Sequence, residues 1–266
     1  VGDQTLARLY SAQVVLLFGS IALGMVAEAV RPRHVLQHPL RRRWLANGFL
    51  LVIDQLVLRL LMPLTVITAA LLAEERGWGL LNLLALPAPI AFVASLLALD
   101  GAYYALHRLE HRVPLLWRVH RLHHSDPDVD VSTGVRFHPL EALVQGGTTV
   151  LVALLIGTQP LATFAHLLLL ALVGPFSHTN VIVPPHLERL LRAVIITPDM
   201  HRLHHSADPR DYETNYSLGL SFWDRLFGTY QAEPVAGYAA MKFGVAGRMP
   251  ADCIALPRIL ADPLLP

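Results

Sequence analysis

The sequence predicts an all-α, polytopic membrane protein: about four to five transmembrane or partly re-entrant helices capped by a cytoplasmic, helical, histidine-rich domain. Three observations carry that expectation. Of 266 residues, 54% are hydrophobic and 15% charged, against about 25% charged in an ordinary soluble domain, and the mean hydropathy is +0.47. Apolar runs long enough to cross a bilayer recur along the chain. Eight of the fourteen histidines fall in three short clusters, His107/His111, His120/His123/His124 and His201/His204/His205. The 21 basic and 20 acidic residues nearly cancel, which gives no reason to expect a nucleic-acid partner. A single cysteine, Cys253, excludes a disulfide framework or a thiolate cluster. The opening Val1-Gly-Asp-Gln4 lacks the basic region of a signal peptide and reads as a trimmed start.

The first apolar run, Tyr10 to Ala29, has the length of one spanning helix. Arg31, Arg33 and Arg41-Arg42-Arg43 follow it and mark the cytoplasmic side. The second run, Trp44 to Ala73, is longer than one crossing needs and carries Asp54 and Arg59, which should face protein or a wet cavity. Glu74-Glu75-Arg76-Gly77 closes it on the opposite face. Pro87 and Pro89 split the third region, so Trp78–Leu86 lies along the interface while Ile90–Leu106 crosses. On that helix Asp100, Tyr103, Tyr104, His107 and His111 recur at helical spacing and make one face polar, the expected lining of a substrate channel at Asp100, Tyr103 and Tyr104.

A polar stretch, Arg112 to Glu141, contains the acidic loop Asp126–Asp130. Two apolar runs of about 15 residues between Ala142 and Pro175, split at Gly157–Pro160, predict a tight hairpin of roughly 22 Å per arm that barely spans. After Val181 no run is long enough to cross; Leu187–Ile196 and Leu218–Tyr230 are short amphipathic pieces. The whole chain reads as one domain: membrane helices over 10–106, the first clusters over 107–141, the hairpin over 142–177 and a cytoplasmic cap over 178–266. Threading these crossings brings every histidine cluster, His178 and 18 of the 21 Lys and Arg residues to one side. By the positive-inside rule that side is cytoplasmic.

His107 and His111 stand at i and i+4, so on a helix both rings point one way. In each His-x-x-His-His cluster the first and third histidines share a face and the middle one is offset, serving either one metal or two neighbours. Eight imidazoles exceed what one tetrahedral zinc uses, so two metals are expected. Isolated histidines such as His34, His38 and His186 read as ordinary packing or interfacial residues. Glu110 directly precedes His111, so the His-Glu-x-x-His zinc-protease pattern is absent.

The series HRLEH, HRLHH, HRLHH resembles the histidine boxes of the fatty acid hydroxylase and sterol desaturase superfamily of integral-membrane oxygenases. Further matching stretches are Trp117–His120, His124–Pro127, Arg136–Pro139, Phe176–Asn180, Thr197–His201, Asp208-Pro-x-Asp211 and Thr214–Tyr216. The resemblance runs from about Tyr103 to Tyr230. It implies two iron ions, zinc being able to substitute in a purified sample, and use of O₂ and two electrons to hydroxylate or desaturate a C–H position of a membrane lipid. It also implies His178 as a ninth ligand. His138, Asp199, Asp208, Asp211 and Asn215 are candidates for supporting hydrogen bonds or ligation, with Glu110 and Asp126 among the acidic groups able to orient a ligand; His166 is expected to pack. No haem, nucleotide or cluster motif is present, so electrons should come from a separate ferredoxin-, rubredoxin- or cytochrome-like partner with its reductase. A bacterial inner membrane is the expected location. A metal transporter, a membrane zinc hydrolase and a metal-stabilised scaffold are the rival readings.

Overall fold

The computed structural model describes residues 3–238, 240–247 and 255–265, with side chains from residue 8 onward; Cys253 lies outside the described residues. The first apolar run forms α1 (Asp3–Val30). Its final turn is tied down by Glu28, whose Oε1 accepts from the N–H groups of Val131 (2.8 Å) and Asn180 (2.7 Å). The arginine-rich connection then leads into α2 (Leu40–Leu61). Arg43 does not stay on the surface: it is fully buried and its guanidinium donates to both Asp126 oxygens (2.9 and 2.8 Å) and to Asp130 (2.5 Å). The acidic loop is therefore an internal counterpart to Arg43.

The long second run is not one helix. Proline cannot continue α2, so the chain turns at Met62–Thr65, beginning at Pro63, and restarts as α3 (Val66–Arg76) from a Thr65 capping box. Ala69 and Ala70 of α3 pack on Ala153. A short α4 (Leu80–Leu83) follows. Here Gly79 meets Gly157 so closely that a Cβ on Gly79 would lie 2.1 Å from the Gly157 nitrogen. Then come α5 (Ala88–Arg112) and, across Val113-Pro114, α6 (Pro114–His124).

Helix α7 (Pro139–Val152) runs on through a π turn, Ala153–Gly157, and α8 (Pro160–His178) returns. The flanks Pro139-Leu-Glu141 and Phe176-Ser-His178 join these helices, so each arm has 19 residues and spans about 28 Å, close to a full hydrocarbon core. The expected arms of about 15 residues end where polar residues begin, and so fall short of the helices. Pro175 inside α8 has no N–H to give to Ala171; the freed carbonyl accepts the Ser20 hydroxyl of α1 at 2.8 Å instead.

Five segments are long and apolar enough to cross a membrane, and they thread as a bundle. The C-terminal ends of α1, α5 and α8 and the N-terminal ends of α2 and α7 meet at one end, joined by the Glu28 and Arg43 contacts. The opposite end holds the Tyr10–Thr65 hydroxyl pair, α3, α4 and the Gln159 N–H bonded to Ser95 (2.9 Å). The protein is thus all-α and polytopic. The remaining short helices, α9 (Pro185–Leu191), α10 (Pro198–His204), α11 (Pro209–Tyr212), α12 (Phe222–Leu226) and α13 (Leu256–Ala261), make the cap on the histidine end. Many of these helices start on a proline, which sets the helical φ and forgoes an N–H that would have no partner anyway.

Candidate metal centre

The nine histidines expected as ligands converge into two groups, each with its ring nitrogens within 4.8 Å of one another. One contains His107, His111, His120, His124 and His204; the other contains His123, His178, His201 and His205. Helical spacing explains the division. In α6, His120 and His124 share a face and enter the first group, while His123, offset by three, enters the second. At the end of α10 the roles reverse: His201 and His205 join the second group and His204 the first. The pair on α5 completes one set and His178, at the end of α8, completes the other.

Both sets suit transition metals. Nε2 pairs stand 3.1 Å apart for His120/His124, 3.0 Å for His107/His204, 3.2 Å for His123/His178, 2.9 Å for His178/His201 and 3.2 Å for His201/His205. Around an ion bound at about 2.1 Å, neighbouring octahedral corners lie about 3.0 Å apart and tetrahedral corners about 3.4 Å. Such spacings suit donors that share one ion, and the five donors of the first set exceed a tetrahedral shell. Both ring nitrogens of His111, though buried, lack a hydrogen-bond partner, as a ligand would without its ion.

The outer nitrogens fix which way each ring faces. Nδ1 of His107 donates to the Tyr216 carbonyl (2.7 Å), His204 to that of Thr214 (2.7 Å), His178 to Gly174 (2.7 Å) and His123 to Arg136 (3.2 Å). A proton held at Nδ1 leaves the Nε2 lone pair facing inward. Burial first, and neighbouring imidazoles second, hold His123, His124, His201 and His205 well below the ordinary histidine value. Burial takes His204 down to about 3, against the opposing effect of the Thr214 carbonyl. The rings are neutral donors at neutral pH.

The expected supporting residues fall elsewhere than onto the imidazoles. His138 caps α7, accepting from the Leu140 N–H (3.1 Å), and its Nε2 donates to the Leu260 carbonyl (3.3 Å). Asp199 pairs with Arg33, and Asp208 with Arg210 (2.6 Å). Asp211 accepts from Gln231 (2.7 Å) and the Val235 N–H (3.0 Å). Asp126, buried but held below the usual carboxylate range by Arg43 and Arg136, serves the ion-pair cluster. Asn215 acts through the backbone: at φ 52° it makes a left-handed turn between Thr214 and Tyr216, whose carbonyls receive His204 and His107. Its side chain holds that turn to the Met200 carbonyl (3.2 Å) and to Gln231 (2.9 and 3.0 Å).

The polar face of α5 is a clamp more than a channel floor. Asp100 is buried and accepts from Trp223 Nε1 (2.7 Å) and the Leu220 N–H (3.1 Å), with His166 Nε2 at 3.4 Å. Tyr104 hydrogen-bonds Thr229 (2.9 Å) and stacks on Phe227. Tyr103, part-buried, lies beside the His166 ring. Sequence reasoning missed Glu141, whose Oε1 accepts from His120 Nδ1 at 2.8 Å while Glu110 stands 3.7 Å away. A carboxylate in the first turn of an apolar helix was the available signal.

The chain is 32% identical over 160 residues to human alkylglycerol monooxygenase, covering 59% of this chain and 34% of that protein. It is 32% identical over 164 residues to the ornithine lipid hydroxylase OlsE of Rhizobium tropici, covering 60% of this chain and 48% of the relative. A very-long-chain aldehyde decarbonylase of Arabidopsis thaliana is 30% identical over 136 residues, covering 48% of this chain and 21% of its own length. The matches thus span between a fifth and a half of these relatives. No solved structure matches. A family model described as fatty acid hydroxylase matches residues 92–229, a stretch holding most of α5, both histidine groups and the Asn215 turn, and the chain belongs to the fatty acid hydroxylase family.

Proposed function

We propose that the protein is an O₂-dependent oxygenase that hydroxylates a C–H position on the alkyl or acyl chain of a polar membrane lipid. The observation that carries this is two buried, all-imidazole metal sets placed side by side at the end of a membrane bundle. Hydroxylation is favoured over desaturation because two similar proteins are named as a monooxygenase and a hydroxylase. Iron held by the five-histidine set and the four-histidine set would supply the redox chemistry that activates O₂ against an unactivated C–H bond.

The chain's own contribution is placement and exclusion of water. Nine buried imidazoles, four of them oriented by the carbonyls of Tyr216, Thr214, Gly174 and Arg136 and His120 by Glu141, gather the donor atoms before any ion arrives. The lipid enters laterally between α2, α5 and the α7–α8 hairpin, where apolar walls keep the reacting carbon in register. Tyr103 is the channel residue in this reading; Asp100 and Tyr104 hold the cap to α5. The histidine end faces the cytoplasm, in keeping with the arginines beside it, and a separate protein donates the electrons.

The test is purification into lipid nanodiscs, metal analysis, and turnover under ¹⁸O₂ with lipid mass spectrometry. Two iron ions per chain and an ¹⁸O-labelled lipid alcohol support the proposal. Label entering only from H₂¹⁸O, on a zinc-loaded protein, would make it a hydrolase instead.

A further inference from the structure

The five-histidine set has an aromatic connection to the surface. Trp117, on α6, lies with its ring centroid 5.1 Å from His111, 5.6 Å from His124 and 6.2 Å from His120. Tyr212 of α11 stacks on Trp117 at 6.0 Å with 12° between planes, and itself reaches His111 at 6.1 Å. Trp117 and Tyr212 are both part-exposed. His111 is 9% exposed, while the other eight histidines are 3% or less. Among the described residues, the aromatic contact of the four-histidine set outside the histidines themselves is Phe137, stacked on His123 at 4.8 Å.

Charge around this spot is positive on balance. Although the chain is nearly neutral, burial sorts its charges: among the described residues of the histidine end, the carboxylates that reach the surface are Asp199, Asp208, Glu213 and Glu233. Exposed arginines are more numerous. Arg118 follows Trp117 directly and Arg112 lies five residues before it, both exposed, and Arg210 lies two residues before Tyr212. Glu213 partners Arg112 (3.1 Å) and Asp208 partners Arg210, so the rim keeps a net positive charge at Arg118.

Resting on the oxygenase reading above, we propose that the Trp117–Tyr212 pair is the electron entry point, at which a small iron–sulfur protein with an acidic face docks on the arginine rim. In each encounter the partner's reduced cluster loses one electron, and one ferric ion of the centre gains it; two encounters supply the two electrons of a turnover. Contact between Trp117 and three rings of one set shortens the path to that ion, and opposite charge raises the encounter rate.

The experiment uses the iron-loaded protein in nanodiscs and follows reduction by absorbance in a stopped-flow instrument, with reduced acidic [2Fe–2S] ferredoxin or with dithionite. Expected is a ferredoxin rate that falls steeply with salt and drops about tenfold in Arg118→Glu, with the dithionite rate for that variant unchanged. Trp117→Leu should lower the ferredoxin rate by about tenfold more than the dithionite rate, and Trp117→Phe should restore most of it. Binding of oxidised ferredoxin, read by calorimetry, should weaken in Arg118→Glu but not in Trp117→Leu. Equal ferredoxin rates in all variants, or losses of equal size with both reductants, would overturn the entry point while leaving the oxygenase reading intact. A centre that dithionite itself cannot reduce would remove that reading, and this proposal with it.

Discussion

Glu141 accepts the Nδ1 proton of His120 at 2.8 Å, the one carboxylate–imidazole hydrogen bond among the nine histidines in the described residues. The other assigned outer nitrogens use backbone carbonyls. Replacing Glu141 by Ala leaves a buried N–H without a partner, which costs about 1–3 kcal/mol, and frees the ring to turn. Metal affinity should fall about 10–100-fold, measured by competition with a chelator. Glu141→Gln keeps a carbonyl oxygen for the same proton and should retain most of the affinity.

His111 and His138 separate ligation from capping. His111→Ala should lower the bound iron measured by mass spectrometry, because it removes a donor with no other engagement. His138→Ala removes the cap on α7, costing about 1 kcal/mol, and should leave the iron content intact. A drop in thermal midpoint with full metal loading is the expected signature.

Protons should unfold the metal-free protein. Burial holds His123, His124, His201, His204 and His205 below their ordinary value of 6.5. The unfolded chain therefore takes up protons below about pH 6.5 that the folded chain refuses until far lower pH, so stability is greatest above 6.5 and falls with acidification. Each such histidine contributes up to about 1.4 kcal/mol per pH unit in that window. Thermal midpoints of the apo protein between pH 8 and pH 5 should fall steeply. A flat profile would mean the rings are solvated without metal.

The Asp100 clamp predicts two related losses. A Cβ on Gly219 would lie 2.2 Å from Asp100 Oδ1, so Gly219→Ala must displace the carboxylate or the loop. Asp100→Ala instead orphans the Trp223 and Leu220 donors, at about 1–3 kcal/mol. Both loosen the segment that brings Tyr216 to His107, so lower thermal midpoints and weaker metal binding should appear together. Asp100→Asn, still an acceptor, should be milder.

Much of this was legible from pattern. The i, i+4 spacing of His107 and His111, the repeated His-x-x-His-His and the counting of apolar runs locate a histidine end on a membrane bundle without coordinates. What spacing left open was how each triplet divides, since a helix offset of three or four does not say which neighbour waits on that side. The role of the Asp126–Asp130 loop was not legible, because its partner, Arg43, lies more than eighty residues away. Asp199, Asp208 and Asp211 were plausible imidazole partners by proximity in sequence, but Arg33 and Arg210 pair with the first two and Gln231 with the Val235 N–H engages the third. Backbone carbonyls do most of the orienting, and carbonyls have no sequence signature; only Asn215, in its left-handed turn, hinted at them.

The crossed assignment of α6 and α10 has a consequence for how the centre fills. Each of these helices carries donors for both ions, so binding the first ion orders part of the shell for the second and lowers its entropic cost. Uptake should be cooperative, with a titration populating empty and doubly loaded chains and few singly loaded ones. The separation of the two ions is then fixed by the pitch of two short helices, so a variant that distorts either helix should lose both ions at once.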